Sequence, residues 1–307
     1  MDKSRLRAYW LATRPYSFTA TLVPILIGTA VAKVLFPALT VQWGHFLLAL
    51  FGAISIHIVS NVLNDVFDAK SGLDNKDNFG RFNSIVAGAV TPKEMFGIAA
   101  VFSVVSLLIG IYFLTVVGTP LLVLLVLGAF LAFFYTMPPV RLKHHALGDL
   151  AVLLGFGLGM AYGAYMVQAH AMPGYLDSGR LLTVLAYALP TALPMVGILQ
   201  ANNHRDRIND REYGAKTLSN VLSPRLSKDL LIAVLVVPFA LLLATSIPAL
   251  TTAWVLLVVL SIPPLLKILR EIKADHFEGP LVPQIAQFHG MFGLLATVGM
   301  VVKSLVG

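Results

Sequence analysis

An all-α, polytopic membrane fold is predicted by three observations. The composition is too apolar for a water-soluble domain, apolar stretches long enough to cross a bilayer recur along the chain, and the basic residues between them fall on one side. Of 307 residues, 57% are hydrophobic and 12% charged, with a mean hydropathy of +0.82; soluble domains carry about 25% charged residues. A spanning helix needs about 20 apolar residues at a rise of 1.5 Å each. Nine such stretches run roughly 15 to 36, 44 to 64, 93 to 117, 119 to 137, 147 to 169, 181 to 203, 229 to 247, 249 to 268 and 283 to 305. Turn chemistry separates several of them, at Gly118-Thr119-Pro120, Met137-Pro138-Pro139, Pro173-Gly174 and Gly279-Pro280. With nine spans and a cytoplasmic N-terminus, 19 of the 22 Lys and Arg lie on the cytoplasmic side, and only Lys33, Arg180 and Lys303 lie opposite. That asymmetry follows the positive-inside rule. The whole chain, 1–307, reads as a single transmembrane domain.

Taken in order, Met1 to Thr13 is a basic, aromatic-bearing segment suited to the membrane interface, and Arg14-Pro15 opens the first span. Ala30-Val31-Ala32 imitates a signal-peptidase site, but the long apolar segment and the spans that follow predict a retained helix. The second span ends in Asn61-Val62-Leu63-Asn64-Asp65-Val66-Phe67-Asp68, then Gly72 and Asp74. As a helix, this places Asn61, Asn64, Asp65 and Asp68 on one face. An acidic residue at mid-membrane is unfavourable by roughly 2.5 to 3.5 kcal/mol, so the face belongs at an interface, in a wet cavity or around a cation. The polar loop from Ala69 to Thr91 is long enough to cover such a site.

Spans three and four form a tight hairpin. After them Tyr135 to His145 contains Pro138-Pro139, which stiffens the loop from which Arg141 and Lys143 project. Span five carries Gly155, Gly159 and Gly163 at fourfold spacing, with Gly157 between, which predicts close helix packing, the alternative being that the missing side chains leave room for a lipid tail. Span six ends in a second polar stretch, where Asn203, Asp206 and Asp210 again share a face, followed by Arg211 to Leu218 with Lys216. The two acidic faces lie four helices apart, as two similar halves of an internal repeat would place them.

The absence of cysteine excludes disulfides and thiol chemistry, and His144, His145 and His204 lack zinc-ligand spacing. Hard divalent cations take oxygen ligands, and Mg²⁺ commonly uses one or two carboxylates with water and substrate phosphates in its remaining positions. Two Asp pairs, each backed by Asn, therefore suit two ions bridging one diphosphate. Nearby Lys and Arg would neutralise its remaining charge. The net charge of +7 is either positive-inside topology facing anionic lipid or a funnel for an anionic substrate. The alternative of another class is a non-catalytic transporter or lipid-binding membrane protein; a transporter would carry its carboxylates nearer mid-span, and the clustering on one side disfavours that reading.

These residues resemble the UbiA superfamily of intramembrane prenyltransferases, and most closely its 1,4-dihydroxy-2-naphthoate (MenA-type) branch. The family motif N-D-x-x-D matches Asn64-Asp65-Val66-Phe67-Asp68. The commoner third Asp is replaced by Gly72, and the D-x-x-x-G-x-D form of the naphthoate branch matches Asp68, Gly72 and Asp74. The second motif is met by Asn202, Asn203, Arg205, Asp206, Asp210, Gly214, Lys216, Thr217 and Leu218, with Ala215 interposed. Arg14-Pro15, the Tyr135 to Lys143 loop and Leu147-Gly148-Asp149-Leu150 are also similar. One departure is Asn83-Ser84, with Arg81 nearby, where many relatives have an Arg-Pro pair.

The resemblance implies nine helices around a central cavity open to the bilayer, forming a prenyltransferase domain. It implies Mg²⁺ held by Asp65, Asp68, Asp206 and Asp210 with Asn64 and Asp74, and a diphosphate bound with help from Asn61, Asn203, Arg141, Arg205 and Lys216. Arg141, Lys143, Arg205 and Lys216 would stabilise the leaving group, and Tyr135 or Tyr162 would shield an allylic cation. The partners implied are a polyprenyl diphosphate, an aromatic acceptor and the lipid bilayer, with no nucleic acid. The reaction implied is prenylation and decarboxylation of 1,4-dihydroxy-2-naphthoate in menaquinone biosynthesis; 4-hydroxybenzoate is the alternative acceptor. The location implied is a bacterial inner (plasma) membrane, with the site toward the cytoplasm.

Overall fold

A computed structural model of the chain describes residues 3–75, 83–246 and 253–306. Within them the fold is helical throughout. Helix α1 (Lys3–Ala12) leads through a short 3-10 turn, Pro15–Phe18, into α2 (Thr19–Leu35), followed by α3 (Trp43–Ser71), α4 (Pro92–Val117) and α5 (Thr119–Phe134). Then α6 (Gly148–Val152), a π-helical segment Leu153–Gly159 and α7 (Met160–Ala169) form one continuous rod. The remainder is α8 (Ser178–Glu212), α9 (Leu218–Val221), α10 (Pro224–Ser246), a 3-10 stretch Ala253–Ser261, α11 (Ile262–Lys273) and α12 (Leu281–Val306).

Seven helical segments among the described residues are long and apolar enough to cross a membrane, where the sequence reading has nine. Two stretches account for the difference. Helix α5 is apolar but has only 16 residues, about 24 Å at 1.5 Å each and short of a hydrocarbon core of about 30 Å. The stretch 249 to 268 begins outside the described residues, continues as 3-10 helix and changes to α-helix at Ile262, just before Pro263-Pro264.

The core is built where α2, α7, α8, α10 and α12 meet. Val23, Ile27, Tyr165, Leu231, Leu235, Phe288 and Phe292 are buried together there. Helices α4 and α5 instead turn Val101, Leu108, Val123 and Phe130 outward, as expected of helices facing lipid rather than water. Helix α1 packs Ala8 and Ala12 with Ile58, Val59, Val62 and Leu63 of α3, and so covers the end of α3 that carries the acidic face.

Two helices overshoot a bilayer. Helix α8, with 35 residues, is about 52 Å long, and α3, with 29, about 43 Å. Their surplus turns are the polar ones, Asn61 to Asp68 and Asn203 to Asp210. The glycine pattern of span five divides unexpectedly. An added Cβ on Gly157 would meet the Ala192 Cβ at 2.4 Å, whereas one on Gly163 would meet nothing within 4 Å. Gly157 therefore packs closely against α8, and Gly155, Gly159 and Gly163 line a cavity, Gly155 also lying close to Leu131 of α5, whose Cδ1 would stand 3.1 Å from an added Cβ. The three glycines at fourfold spacing thus share a face, and that face is the cavity wall. Gly157→Val is expected to destabilise the α8 contact by about 2 kcal/mol, read as an earlier thermal unfolding in detergent.

Candidate active site

The cavity has a volume of about 870 Å³ and is bounded by α2, α3, α4, α5, the α6–α7 rod and α8. Its walls are mostly apolar. Arg14, Asn61, Asn64, Tyr135, Asn202 and Arg205 supply polar groups to the lining, so polar residues from both acidic helix ends reach the same space. Asn209 Nδ2 also donates to the Leu73 carbonyl at 3.0 Å, tying α8 to the turn that follows α3.

Both acidic faces are buried. Asn64, Asp65 and Asp68 are 4%, 1% and 0% exposed, and Asn203, Asp206 and Asp210 are 3%, 9% and 4% exposed; an ordinary hydrated helix end would expose them. Three of the acids face cations. Arg14, in a left-handed backbone conformation (φ 52°) before Pro15, pairs with Asp65. Lys143 Nζ donates to Asp68 Oδ2 at 2.8 Å, with both side chains nearly inaccessible. Arg205 grips its neighbour Asp206 at 2.7 and 2.8 Å and also reaches Asn202 Oδ1 at 2.7 Å.

The loop bearing Lys143 is held from two sides. Lys143 N donates to the Tyr135 carbonyl at 2.9 Å. His145 and Lys216 form a short parallel bridge, with Ala146 N bonded to the Lys216 carbonyl at 2.6 Å and Lys216 N to the His144 carbonyl at 3.3 Å. Burial, and then the charge of Lys143, lowers the pKa of His144 below the ordinary histidine value, which disfavours its charged form. The side chains of Arg141 and Lys216 are exposed, outside the cavity lining.

The remaining candidates take varied places. Asn61 Nδ2 donates to the Thr13 carbonyl at 3.0 Å. Asp74 is buried and accepts from Asn83 Nδ2 at 2.8 Å; the same amide donates to the Asp65 carbonyl at 2.9 Å. Asn83, at the point of departure from the Arg-Pro pattern, thus joins the loop to the acidic helix end, while Arg81 lies outside the described residues. Tyr135 lines the cavity, and Gly148 leaves room for its hydroxyl, which would stand 3.3 Å from an added Cβ. Tyr162 is not in the lining; its hydroxyl donates to the Leu181 carbonyl at 2.8 Å.

The sequence reading missed two participants, Arg14 as a partner of Asp65 and His57 in the cavity wall. His57 stands one turn before Asn61 on the same face, and that spacing was the signal available.

The donor set fits hard divalent cations. It is composed of oxygen, has no cysteine, and includes the buried Asn64 Oδ1, which has no hydrogen-bond partner. Among the described residues, no three His, Cys, Asp or Glu side chains form a ready-made cage. Oxygens from water and a bound phosphate ester would therefore have to complete each coordination shell.

Comparison with known proteins gives the same outline. The model of the UbiA prenyltransferase family matches residues 21–277. The chain is similar to the UbiA prenyltransferase domain-containing protein 1 homolog of Drosophila melanogaster, 30% identical over 304 residues that cover 96% of this chain and 79% of that protein. It is also similar to 1,4-dihydroxy-2-naphthoate octaprenyltransferase of Bacillus subtilis, 25% identical over 297 residues, 96% of this chain and 92% of that protein. Its fold is like that of a UbiA homolog from Archaeoglobus fulgidus bound to DMAPP and Mg²⁺, with a TM-score of 0.62 and 14% identity over 97% of this chain and 99% of that one. It is also like the apo UbiA homolog from Aeropyrum pernix K1, with a TM-score of 0.66 and 16% identity over 91% and 97%. A family match over most of the length, on a helical bundle with two buried acidic helix ends at one cavity, makes this chain an integral membrane protein that belongs to the UbiA prenyltransferase family.

Proposed function

We propose that the protein transfers a polyprenyl group from its diphosphate to an electron-rich dihydroxynaphthalene acceptor inside the membrane, with 1,4-dihydroxy-2-naphthoate as the leading candidate. One observation carries the reading: two buried Asp-bearing helix ends, with cations set against their carboxylates, adjoin an apolar cavity of about 870 Å³. The naphthoate is favoured by the branch form of the motif at Asp68, Gly72 and Asp74 and by the Bacillus relative.

In this reading Asp65, Asp68, Asp206 and Asp210, with Asn64 Oδ1, hold the metal, and Asp74 with Asn83 fixes the turn beside them. Asn61 and Asn203 add amide groups to the two faces. Mg²⁺, when bound, supplies charge neutralisation to the diphosphate oxygens. Arg14, Lys143 and Arg205 exchange their carboxylate partners for phosphate oxygens, and this attraction grows as the leaving group gains charge. The bond from C1 of the prenyl chain to the diphosphate oxygen breaks, with its electron pair leaving on the diphosphate. Ring carbon bonds to C1, and that carbon loses CO₂ from the naphthoate, or a proton from an unsubstituted ring. Tyr135 offers its ring face to the transient allylic charge. Arg141 and Lys216, exposed at the rim, draw the anion in.

The topology proposed is nine spans with a cytoplasmic N-terminus. The seven long segments are joined by α5 and by the stretch that ends in α11, and the site faces the cytoplasm. Matched relatives come from animals as well as a bacterium, so a bacterial inner membrane is not part of the proposal. A second reading, an acceptor without a carboxylate, is favoured by the cavity wall. Its only Lys or Arg among the described residues are Arg14 and Arg205, and each already faces an Asp. That observation disfavours 4-hydroxybenzoate as well.

The test is turnover by purified protein in liposomes given a polyprenyl diphosphate, Mg²⁺ and a panel of acceptors. The panel comprises 1,4-dihydroxy-2-naphthoate, the naphthoquinol lacking its carboxyl, and 4-hydroxybenzoate. The expected result is a prenylated naphthoquinol whose formation stops on addition of EDTA. Preference for the carboxyl-free quinol establishes the second reading, and absence of product from every acceptor overturns the proposal.

A further inference from the structure

His57 is a buried imidazole that the diphosphate chemistry does not use, yet it forms part of the cavity wall. It lies on the face of α3 that carries Asn61, Asn64 and Asp68, at spacings of four, seven and eleven residues. At 1.5 Å per residue it stands about 6 Å along the helix from Asn61 and about 10 Å from Asn64. That separation leaves room for C1 of a prenyl chain and one aromatic ring between the imidazole and the acidic end.

The two edges of the ring differ. Nδ1 lies 2.7 Å from Thr21 Oγ1, and Thr21 is fully buried. Nε2 lies 3.3 Å from Ser17 Oγ, and Ser17 lines the cavity together with His57. The heavy-atom contacts favour one tautomer. The Ser17 hydroxyl donates its proton to the Arg14 carbonyl at 2.7 Å, so at the Ser17 contact the imidazole is the donor. Nε2 therefore carries hydrogen, and Nδ1 accepts from Thr21. Phe156, another cavity residue, packs edge-on against the imidazole at 4.6 Å between centroids. It belongs to the π-helical segment, a kind of distortion common at functional sites.

We propose that this slot is the acceptor site: the Nε2–H of His57 leaves Ser17 and donates to a hydroxyl oxygen of the aromatic acceptor, whose ring lies against Phe156. The inference rests on the prenyl-transfer reading and adds where the second substrate binds. An uncharged donor beside an aromatic edge selects a phenol-type hydroxyl on a flat ring. Thr21 acts through His57, holding the tautomer that directs the donor into the cavity.

The deciding measurement is the separate KM for each substrate. His57→Leu is expected to raise the KM for the acceptor by about tenfold, the scale of one lost hydrogen bond to substrate, with the KM for the prenyl diphosphate within about twofold of wild type. His57→Gln keeps an N–H donor and is expected to recover part of the loss. Ser17→Ala removes the resident partner of Nε2 together with the hydroxyl's bond to the Arg14 carbonyl, which keeps its bond from the Ser17 amide, and is expected to leave the acceptor KM unchanged or lower it; this variant supports or contradicts the assignment even where His57→Leu does not fold. An active wild type whose acceptor KM is unmoved in His57→Leu, or raised in Ser17→Ala, overturns this inference alone. A wild type that prenylates no aromatic acceptor overturns the proposed function and this inference with it.

Discussion

Asp68→Ala and Asp206→Ala are each expected to lower kcat/KM by about a thousandfold, the upper range for removing one electrostatic group that acts on developing charge. The two residues come from different helices, α3 and α8, and different halves of the sequence, but both sit beside the same cavity with a cation against the carboxylate. A diphosphate held through metal at both helix ends would need the carboxylates of both, so either loss is expected to remove most of the activity. The double variant is then expected to be little worse than the single ones, because groups acting as a unit are non-additive. Asp229→Ala is the control: its side chain is 59% exposed and its contact with Arg225 is 3.9 Å, so activity should remain at the wild-type level. Full-rate turnover by both Asp68→Ala and Asp206→Ala would eliminate the proposed site.

The two acidic faces were legible because helical periodicity is local: four residues of the first polar stretch and three of the second define the faces without knowledge of the fold. The pairings were not legible, because they join distant parts of the chain. Arg14 and Asp65 are 51 residues apart, and Lys143 and Asp68 are 75 apart; nothing in either segment names its partner. Asn83 shows a related limit. It was marked as a departure from the family pattern, but its role as a two-pronged donor to Asp65 and Asp74 depends on how the loop folds back on α3. Span five shows another. Glycines at fourfold spacing share a face, but the spacing does not say whether that face meets a helix or a cavity, and Gly155, Gly159 and Gly163 line the cavity. Gly157, outside the stripe, is the residue against Ala192. Span counting met a physical boundary as well, since α5 is apolar enough but too short by length alone.

Lys143→Met tests whether the buried cation belongs to the reaction or only to the fold. The side chains of Lys143 and Asp68 are 6% and 0% exposed, so the variant leaves a buried carboxylate without the cation now set against it. Breaking one side of such a pair costs about 3 kcal/mol, and unfolding in detergent without divalent metal is expected at lower temperature than in wild type. If Asp68 is a metal ligand, Mg²⁺ with inorganic diphosphate supplies positive charge in place of the ammonium and should stabilise the variant more than it stabilises wild type. A purely structural pair predicts no such difference, because a metal bound elsewhere cannot reach Asp68. Turnover separates the roles again. Restored stability does not restore the cation that faces the leaving diphosphate, so kcat for Lys143→Met is expected to remain about a hundredfold below wild type at saturating Mg²⁺. Lys143→Arg keeps the charge but changes a point donor into a planar fork in a closed space, and should fall between the two. Equal stabilisation of wild type and Lys143→Met by Mg²⁺ and diphosphate, with wild-type kcat, would assign Lys143 to the fold alone and remove it from the site.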